Sequence, residues 1–172
     1  DTDWLRRTPC SRGGAGGHKE WWHFCVYARG VDVLVNLSLV DDVREGAPRG
    51  HEFARVVVLV REREWDGDVE VFEAHEVEAP GGGLQMRFGD NRVAFEDGRY
   101  VIEVRLRRRP IAVSLVLEPG CVPSLANNIR LDPGPPINWL VLPRMVASGT
   151  LRLGDRVVQV DRARAYHDHN WG

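Results

Sequence analysis

A period of two runs through most of the chain and limits what it can fold into. Apolar residues occupy every odd position from Val31 to Leu39, and Val56, Val58 and Val60 repeat the pattern. Because successive side chains on a β-strand point to opposite faces, this spacing predicts half-buried strands. No segment shows the period of an amphipathic helix, so we predict an all-β chain.

Short turn signals separate the alternating segments. Asp66-Gly67 and Asp97-Gly98 are dipeptides typical of tight hairpins, and Gly89-Asp90-Asn91 predicts another turn. Consecutive hairpins of this kind favour an up-and-down antiparallel barrel, with a sandwich as the alternative.

The amino-acid composition changes over residues 118–136, where prolines and glycines are frequent. This composition predicts a long irregular loop, and loops of that length are usually functional or disordered. Strands are expected to resume near Trp139 and again at Thr150–Leu153, followed by a last strand at Val157–Trp171.

The domain prediction is a flexible N-terminal segment, residues 1–17, followed by one β-barrel domain, residues 18–172. The run Gly13-Gly14-Ala15-Gly16-Gly17 precedes a strand, whereas a phosphate-binding loop needs a following helix. We therefore interpret that run as a connector.

Charge and cysteine content narrow the classes of partner and location. The formal net charge is −2, which does not favour a nucleic-acid partner. The three cysteines are widely spaced and form no C-x-x-C pair, which favours free thiols in a reducing compartment. No apolar run reaches the length of a membrane helix. We therefore expect a cytoplasmic protein, with association to a membrane surface left open.

A first aromatic cluster follows the connector, at Glu20-Trp21-Trp22-His23-Phe24. On a strand, Glu20 and Trp22 point to one face, while Trp21 and His23 point to the other. Two readings stay open: a tryptophan plug at one end of a barrel, or the aromatic wall of a pocket for an apolar ligand.

A second cluster ends the chain, at Tyr166-His167-Asp168-His169-Asn170-Trp171-Gly172. Alternation puts Tyr166, Asp168 and Asn170 on one face, and the two histidines with Trp171 on the other. The H-x-H pair could bind zinc, but no third ligand lies at a spacing typical of zinc-binding motifs. We therefore predict no metal.

Asp168 is the candidate acid of the second cluster. A carboxylic acid walled by tryptophan and tyrosine rings is desolvated, which raises its pKa and lets it donate a proton near neutrality. The alternative is an ionised, structural Asp168 paired with an arginine such as Arg144 or Arg164.

Together the two clusters resemble the carotenoid 1,2-hydratase (hydroxyneurosporene synthase) and AttH-like family, and more distantly the lipocalin-type Diels–Alderases. The C-terminal run is the more specific part of the resemblance. It implies two lipocalin-like barrels, of which this chain covers the first, with the ligand pocket in that barrel and at the contact between the two.

The resemblance also implies site residues. Asp168 stands where the family has its proton donor, Tyr166 where a tyrosine lines the pocket, and Trp139 where an upstream tryptophan belongs to the site. The hydratases have a histidine two residues before that tryptophan, whereas this chain has Ile137. The predicted catalytic residues are Asp168, Tyr166 and His167. The predicted substrate-binding residues are Glu20, Trp21, Trp22, His23, Trp139, Asn170 and Trp171.

Three functions follow from this set. The first is a cofactor-free hydratase or cyclase, in which Asp168 protonates a double bond of a polyene or terpenoid and Trp22, Trp139 and Tyr166 stabilise the cation. A histidine would guide the water that captures it. The second is a pericyclase acting on a polyene or polyketide, which mainly orients its substrate. The third is a non-catalytic carrier of an apolar ligand. The expected protein partner is a second barrel or another copy of the chain.

Overall fold

The structure, a computed structural model, describes residues 19–40, 53–79, 83–130 and 136–172. Strands account for 77% of these residues. Within them, the helical content is one 3₁₀ turn at Ala74–Glu76, and no helix is long and apolar enough to cross a membrane. The all-β prediction is confirmed. The predicted flexible N-terminal segment, residues 1–17, lies outside the described residues.

Twelve strands occur in the described residues and are numbered here in chain order. They are β1 (Lys19–Ala28), β2 (Val31–Val40), β3 (Ala54–Arg61), β4 (Trp65–Phe72), β5 (Val77–Glu78), β6 (Gln85–Phe88), β7 (Asn91–Glu96), β8 (Arg99–Arg105), β9 (Ile111–Pro119), β10 (Ser124–Ile129), β11 (Ile137–Leu153) and β12 (Arg156–Trp171).

The strands form one antiparallel sheet that curls into a nearly closed, lipocalin-like barrel. Its order is β4-β3-β2-β1-β12-β11-β9-β8-β7-β6-β5, with β10 added beside β11. Most neighbours in this order are also neighbours in sequence, as in an up-and-down barrel. The exception that matters is the pairing of β1 with β12, which brings the two ends of the described chain together.

The barrel interior is filled by the inward-pointing half of each alternating strand. Six of the largest side chains in it are at most 1% exposed: Trp22, Phe24, Phe72, Leu84, Phe88 and Tyr100. Burial of large apolar side chains is the main source of stability in such a fold, at about 25 cal/mol for each Å² removed from water. The described interior is therefore a packed core.

The two hairpin signals have different outcomes. Asp97-Gly98 joins β7 to β8 with φ of 49° and 77°, as the predicted tight turn requires. The Asp66-Gly67 prediction is wrong, because both residues lie inside β4 and the turn falls at residues 62–64. A Cβ added to Gly67 would lie 2.0 Å from the Val58 carbonyl oxygen. The glycine allows close approach to β3 and does not form the turn.

The long loop predicted at residues 118–136 is also partly wrong. β9 continues to Pro119, and Ser124–Ile129 forms β10, which pairs with β11. β11 then runs unbroken from Ile137 to Leu153, where two separate strands were expected. The reason is that the first half of β11 extends past β9 and leaves backbone groups that β10 can satisfy. Residues 131–135 lie outside the described residues.

Candidate functional site

β1 and β12 lie side by side and bring the two sequence clusters into register. Four pairs of outward-pointing residues face each other across them: Trp21 with Asn170, His23 with Asp168, Cys25 with Tyr166, and Tyr27 with Arg164. We call these eight residues the outer ladder. Directly opposed residues in an antiparallel pair have Cβ atoms roughly 5 Å apart. Residues distant in sequence thus become immediate neighbours.

Asp168 is half-buried at the centre of the outer ladder and accepts hydrogen bonds from two residues of its own strand. The Asn170 side-chain amide donates one, and the Tyr166 hydroxyl donates the other. Burial, this hydrogen bond and the charge of Asp168 together raise the pKa of the Tyr166 phenol well above its ordinary value. Tyr166 therefore stays protonated and holds the Asp168 carboxyl group in place.

His23 faces Asp168 across the strands and also contacts its own neighbour on β1. Its Nε2 lies 3.2 Å from the Cys25 Sγ. Burial lowers the pKa of His23 below its ordinary value; the Asp168 charge acts against this, and the nearby His167 adds to it. His23 is therefore a neutral imidazole at neutral pH, with a lone pair that can accept a proton.

Cys25 is the thiol of the outer ladder, and its surroundings do not activate it. Burial raises its pKa, as do the charges of Asp168 and Asp32, while a hydrogen bond with Tyr27 acts in the opposite direction. A nucleophilic cysteine requires a lowered pKa. The Cys25–His23 contact is thus a hydrogen bond of a protonated thiol, and a thiolate nucleophile is not indicated.

Two tryptophans lie in the row next to Asp168 on the outer face. Trp21 on β1 and Trp139 on β11 both face Asn170, one from each side of β12. The three residues form one row across the sheet, and Asp168 lies in the next row between His23 and Val141. The Trp139 side chain is 37% exposed, so an indole surface is available beside the carboxyl group.

The two histidines of the C-terminal run point into the barrel. His167 donates a hydrogen bond from Nδ1 to the His23 carbonyl oxygen at 3.0 Å, and its ring stacks on Phe24 at 4.1 Å. His169 lies 2.7 Å from a Glu20 carboxylate oxygen, and both side chains are fully buried. The Trp22 ring stacks on His169 at 4.5 Å, and Trp171 lies at 4.8 Å.

The predicted site residues therefore separate into two groups on opposite sides of the sheet. The outward group is Tyr166, Asp168, Asn170, Trp21, His23 and Trp139. The inward group is His167, Glu20, Trp22 and Trp171. His167 does not share a face with Asp168, so it is not placed to guide water there. Trp22 lies in the core, and on the outer face Trp21 takes the position expected for it beside Asp168.

The arginines proposed as structural partners of Asp168 lie elsewhere. Arg144 donates hydrogen bonds to the Gly120 carbonyl oxygen at 2.8 and 3.0 Å. Arg164 faces Tyr27 at the far end of the outer ladder. Within the described residues no arginine forms an ion pair with Asp168. The donors on its carboxyl group are therefore neutral side chains.

Metal binding at the H-x-H pair finds no geometric basis in the described part of the chain. His167 and His169 point inward, whereas His23 points outward and cannot join them. No group of three histidine, cysteine or acidic side chains that could hold a metal occurs among the described residues.

One surface cavity, of about 470 Å³, runs over β8, β9 and β11, away from the outer ladder, and its lining includes Glu103, Arg105, Ser114, Thr150 and Arg152. Its mixed charges do not suit an apolar ligand. The outer ladder lies on the outer side of the described barrel, and a covering layer or ligand would enclose it.

Cys25, Tyr27 and Asn36 are residues of this face that the sequence reasoning did not select. Asn36 on β2 faces His23 and extends the row that contains Asp168. Cys25 and Tyr27 follow His23 at two-residue spacing, so alternation alone could have put them on its face. Asn36 could only be found once β2 was known to pair with β1.

Comparison with known proteins identifies the fold. No family model matches the chain, and no curated protein matches it. Its fold is similar to the crystal structure of a Nitrosomonas europaea protein provisionally named AttH, with a TM-score of 0.69 and 14% sequence identity. The similarity covers 99% of this chain and 56% of the other. The chain thus has an AttH-like barrel fold and spans little more than half the length of that protein.

Proposed function

We propose that this barrel is part of a cofactor-free hydratase or cyclase that protonates a carbon–carbon double bond of an apolar polyene or terpenoid. Asp168 is the proton donor. The proposal is supported above all by one observation: Asp168 lies on the outer face of the sheet beside two tryptophans, with neutral hydrogen-bond donors and no arginine partner among the described residues. The sequence resemblance points to the same residue.

The protonation state of Asp168 depends on what covers it. An apolar chain laid over this face would remove water from the Asp168 carboxyl group, and removal of water disfavours a charged carboxylate. The acid is thus formed when substrate is present, as alkene protonation requires.

The rings around Asp168 suit the cation that protonation creates. Trp21, Trp139 and Tyr166 present π surfaces on the face of the carboxyl group, and such surfaces attract cations. The cation is captured by water to give an alcohol, or by an internal double bond to give a ring. No cofactor is needed for either outcome.

A covering layer completes the proposed site. The chain spans 56% of the length of the AttH protein that shares its fold. We take the cover to be a second lipocalin-like barrel or another copy of this chain, docked over the outer ladder. Exclusion of stray water from the cation is the chemical reason for such a cover.

A second candidate function has an observation of its own. Asp168 accepts hydrogen bonds from Asn170 and Tyr166, which hold its carboxyl group in one position for contact with a ligand. If the face stays wet, the residues could hold a ligand without general-acid chemistry. The protein would then be a pericyclase, which acts by orientation, or a carrier of an apolar ligand.

The test is Asp168→Asn in the complete gene product, assayed with geranylgeraniol, squalene and lycopene. The substitution keeps the shape of the side chain and removes its transferable proton. We expect turnover to fall by at least about a hundredfold, the usual scale for loss of a general acid, while binding measured by fluorescence quenching of the tryptophans persists.

Asp161→Asn is the matched control, because Asp161 is an exposed carboxylate earlier on the same strand. Its turnover should equal that of the parent. Turnover of Asp168→Asn within a fewfold of the parent would favour the pericyclase. Binding without turnover in the parent would favour the carrier.

A further inference from the structure

His23 is the one basic group that the outer ladder places directly opposite Asp168. The two residues are partners in the β1–β12 register, so their side chains leave the sheet side by side. Asn36 faces His23 from the other side, on β2, and carries no charge. The geometry thus sets an acid and a base side by side, with amide, aromatic and thiol side chains as their immediate neighbours.

A base is needed wherever an alkene is hydrated. Protonation transfers the Asp168 proton to carbon, with the π electrons forming the new C–H bond, and leaves a carboxylate and a tertiary cation. Water then forms the C–O bond and becomes an oxonium ion that must lose a proton. A cyclised cation likewise ends by losing a proton from carbon, with the C–H electrons forming a double bond.

We propose that His23 accepts this second proton and returns it to Asp168, and this inference rests on the proposed function. The imidazole lone pair takes the proton from the oxonium ion or the cyclised cation. The resulting imidazolium then passes a proton to the Asp168 carboxylate across the strand pair. The acid and the neutral base are both restored, and the net reaction in the hydratase case is the addition of one water to the double bond.

The surroundings of His23 suit a group that must gain and lose a proton in each cycle. The titratable groups that face it are Asp168 and Tyr166 from β12 and Cys25 from its own strand, with His167 behind the sheet. Of these groups, only Asp168 favours the charged form of His23. Burial keeps the pKa of His23 below its ordinary value, so the proton it accepts is readily given up.

The coupling can be measured without any substrate. The imidazole resonances of His23 are titrated by nuclear magnetic resonance in the parent and in Asp168→Asn, with His75 as an exposed control on the 3₁₀ turn. We expect the pKa of His23 to fall in Asp168→Asn, because the neighbouring negative charge that raises it is removed. An unchanged His23 titration would overturn the inference.

The chemical step is tested by assaying His23→Gln with geranylgeraniol, squalene and lycopene in D₂O. Product formation should fall at least about a hundredfold, whereas deuterium should still enter the recovered polyene, because Asp168 continues to protonate the alkene reversibly. Asp168→Asn should abolish both signals, and His75→Gln should leave both unchanged.

The outcomes separate this inference from the proposed function. If Asp168→Asn is inactive and His23→Gln turns over at the parent rate, the hydratase or cyclase stands and the role of His23 is wrong. If His23→Gln loses deuterium exchange together with product, His23 is no separate base and the inference is also wrong. If the parent neither exchanges nor turns over any polyene, the proposed function is wrong and the inference falls with it.

Discussion

Glu20 and His169 form a polar contact inside a largely apolar barrel. Their side-chain atoms meet at 2.7 Å, and neither side chain is exposed. Taking such groups out of water is costly, and the mutual hydrogen bond offsets much of that cost. The pair thus joins β1 to β12 from inside, directly beneath the face that carries Asp168.

We expect Glu20→Ala to lower the free energy of unfolding by about 3 kcal/mol, because it leaves a buried imidazole without its acceptor. Urea denaturation followed by tryptophan fluorescence measures this change. Glu64→Ala, in the exposed turn after β3, is the control and should change stability by less than about 0.5 kcal/mol. Equal unfolding midpoints for Glu20→Ala and the parent would contradict a stabilising role for the pair.

At the scale of elements, an arginine-rich hairpin covers one edge of the sheet. Arg107, Arg108 and Arg109 follow β8 and lie against Glu70, Asp68 and Asp66 of β4, in that order. Two guanidinium groups also donate to the β4 carbonyl oxygens of Val71 and Val69, at 3.2 and 2.8 Å. Side chains thus replace a neighbouring strand and protect β4 from pairing with another molecule.

Arg107 is the member of this hairpin with the most buried contacts. It approaches Glu70, which is 2% exposed, at 3.2 Å and lies over the Phe72 ring at 4.5 Å. We expect Arg107→Ala to cost about 2 kcal/mol of unfolding free energy, because a buried carboxylate loses a charged donor. Differential scanning calorimetry measures the loss.

Arg108→Ala is the internal control, since the Arg108 side chain is 68% exposed and its ion pair is with Asp68. Exposed pairs contribute about 1 kcal/mol or less. If Arg107→Ala and Arg108→Ala lower the free energy of unfolding equally, the burial of Glu70 does not determine how strongly the arginine-rich hairpin is held to β4.

At the scale of the whole molecule, apolar side chains lie on the outer side of the sheet on four strands, β11, β1, β2 and β3. Leu34, Val57 and Leu59 lie half-buried on β2 and β3 beside the outer ladder, and Trp21 and Trp139 continue the surface across β1 and β11. Large exposed apolar patches usually mark an interaction site. This patch lies on the side wall of the barrel.

We expect the chain of residues 1–172 to self-associate through this wall. Leu59→Glu should shift the sedimentation velocity profile towards monomer, because a carboxylate in the contact is costly to desolvate. Val157→Glu, at an exposed position on the first part of β12, should leave the profile unchanged. A parent that sediments as a single monomer at all concentrations would contradict this expectation.

Much of this architecture could be predicted from local pattern. The two-residue period indicated the strands, and Asp97-Gly98 indicated its hairpin, because both depend on neighbouring residues alone. The failures at Asp66-Gly67 and at β10 share a cause. Gly67 is required by the close approach of β3, and β10 exists because β11 offers it backbone partners. Both requirements come from other strands, and no local pattern records them.

The candidate site divides in the same way. Alternation by itself determined that Tyr166, Asp168 and Asn170 share a face and that His167 and His169 lie on the other, because a strand leaves no other choice. Only the tertiary structure decided which face is the inside. The histidines are buried because Glu20 and the His23 carbonyl, more than a hundred residues away, satisfy their nitrogens. Asp168 therefore lies outside, opposite His23.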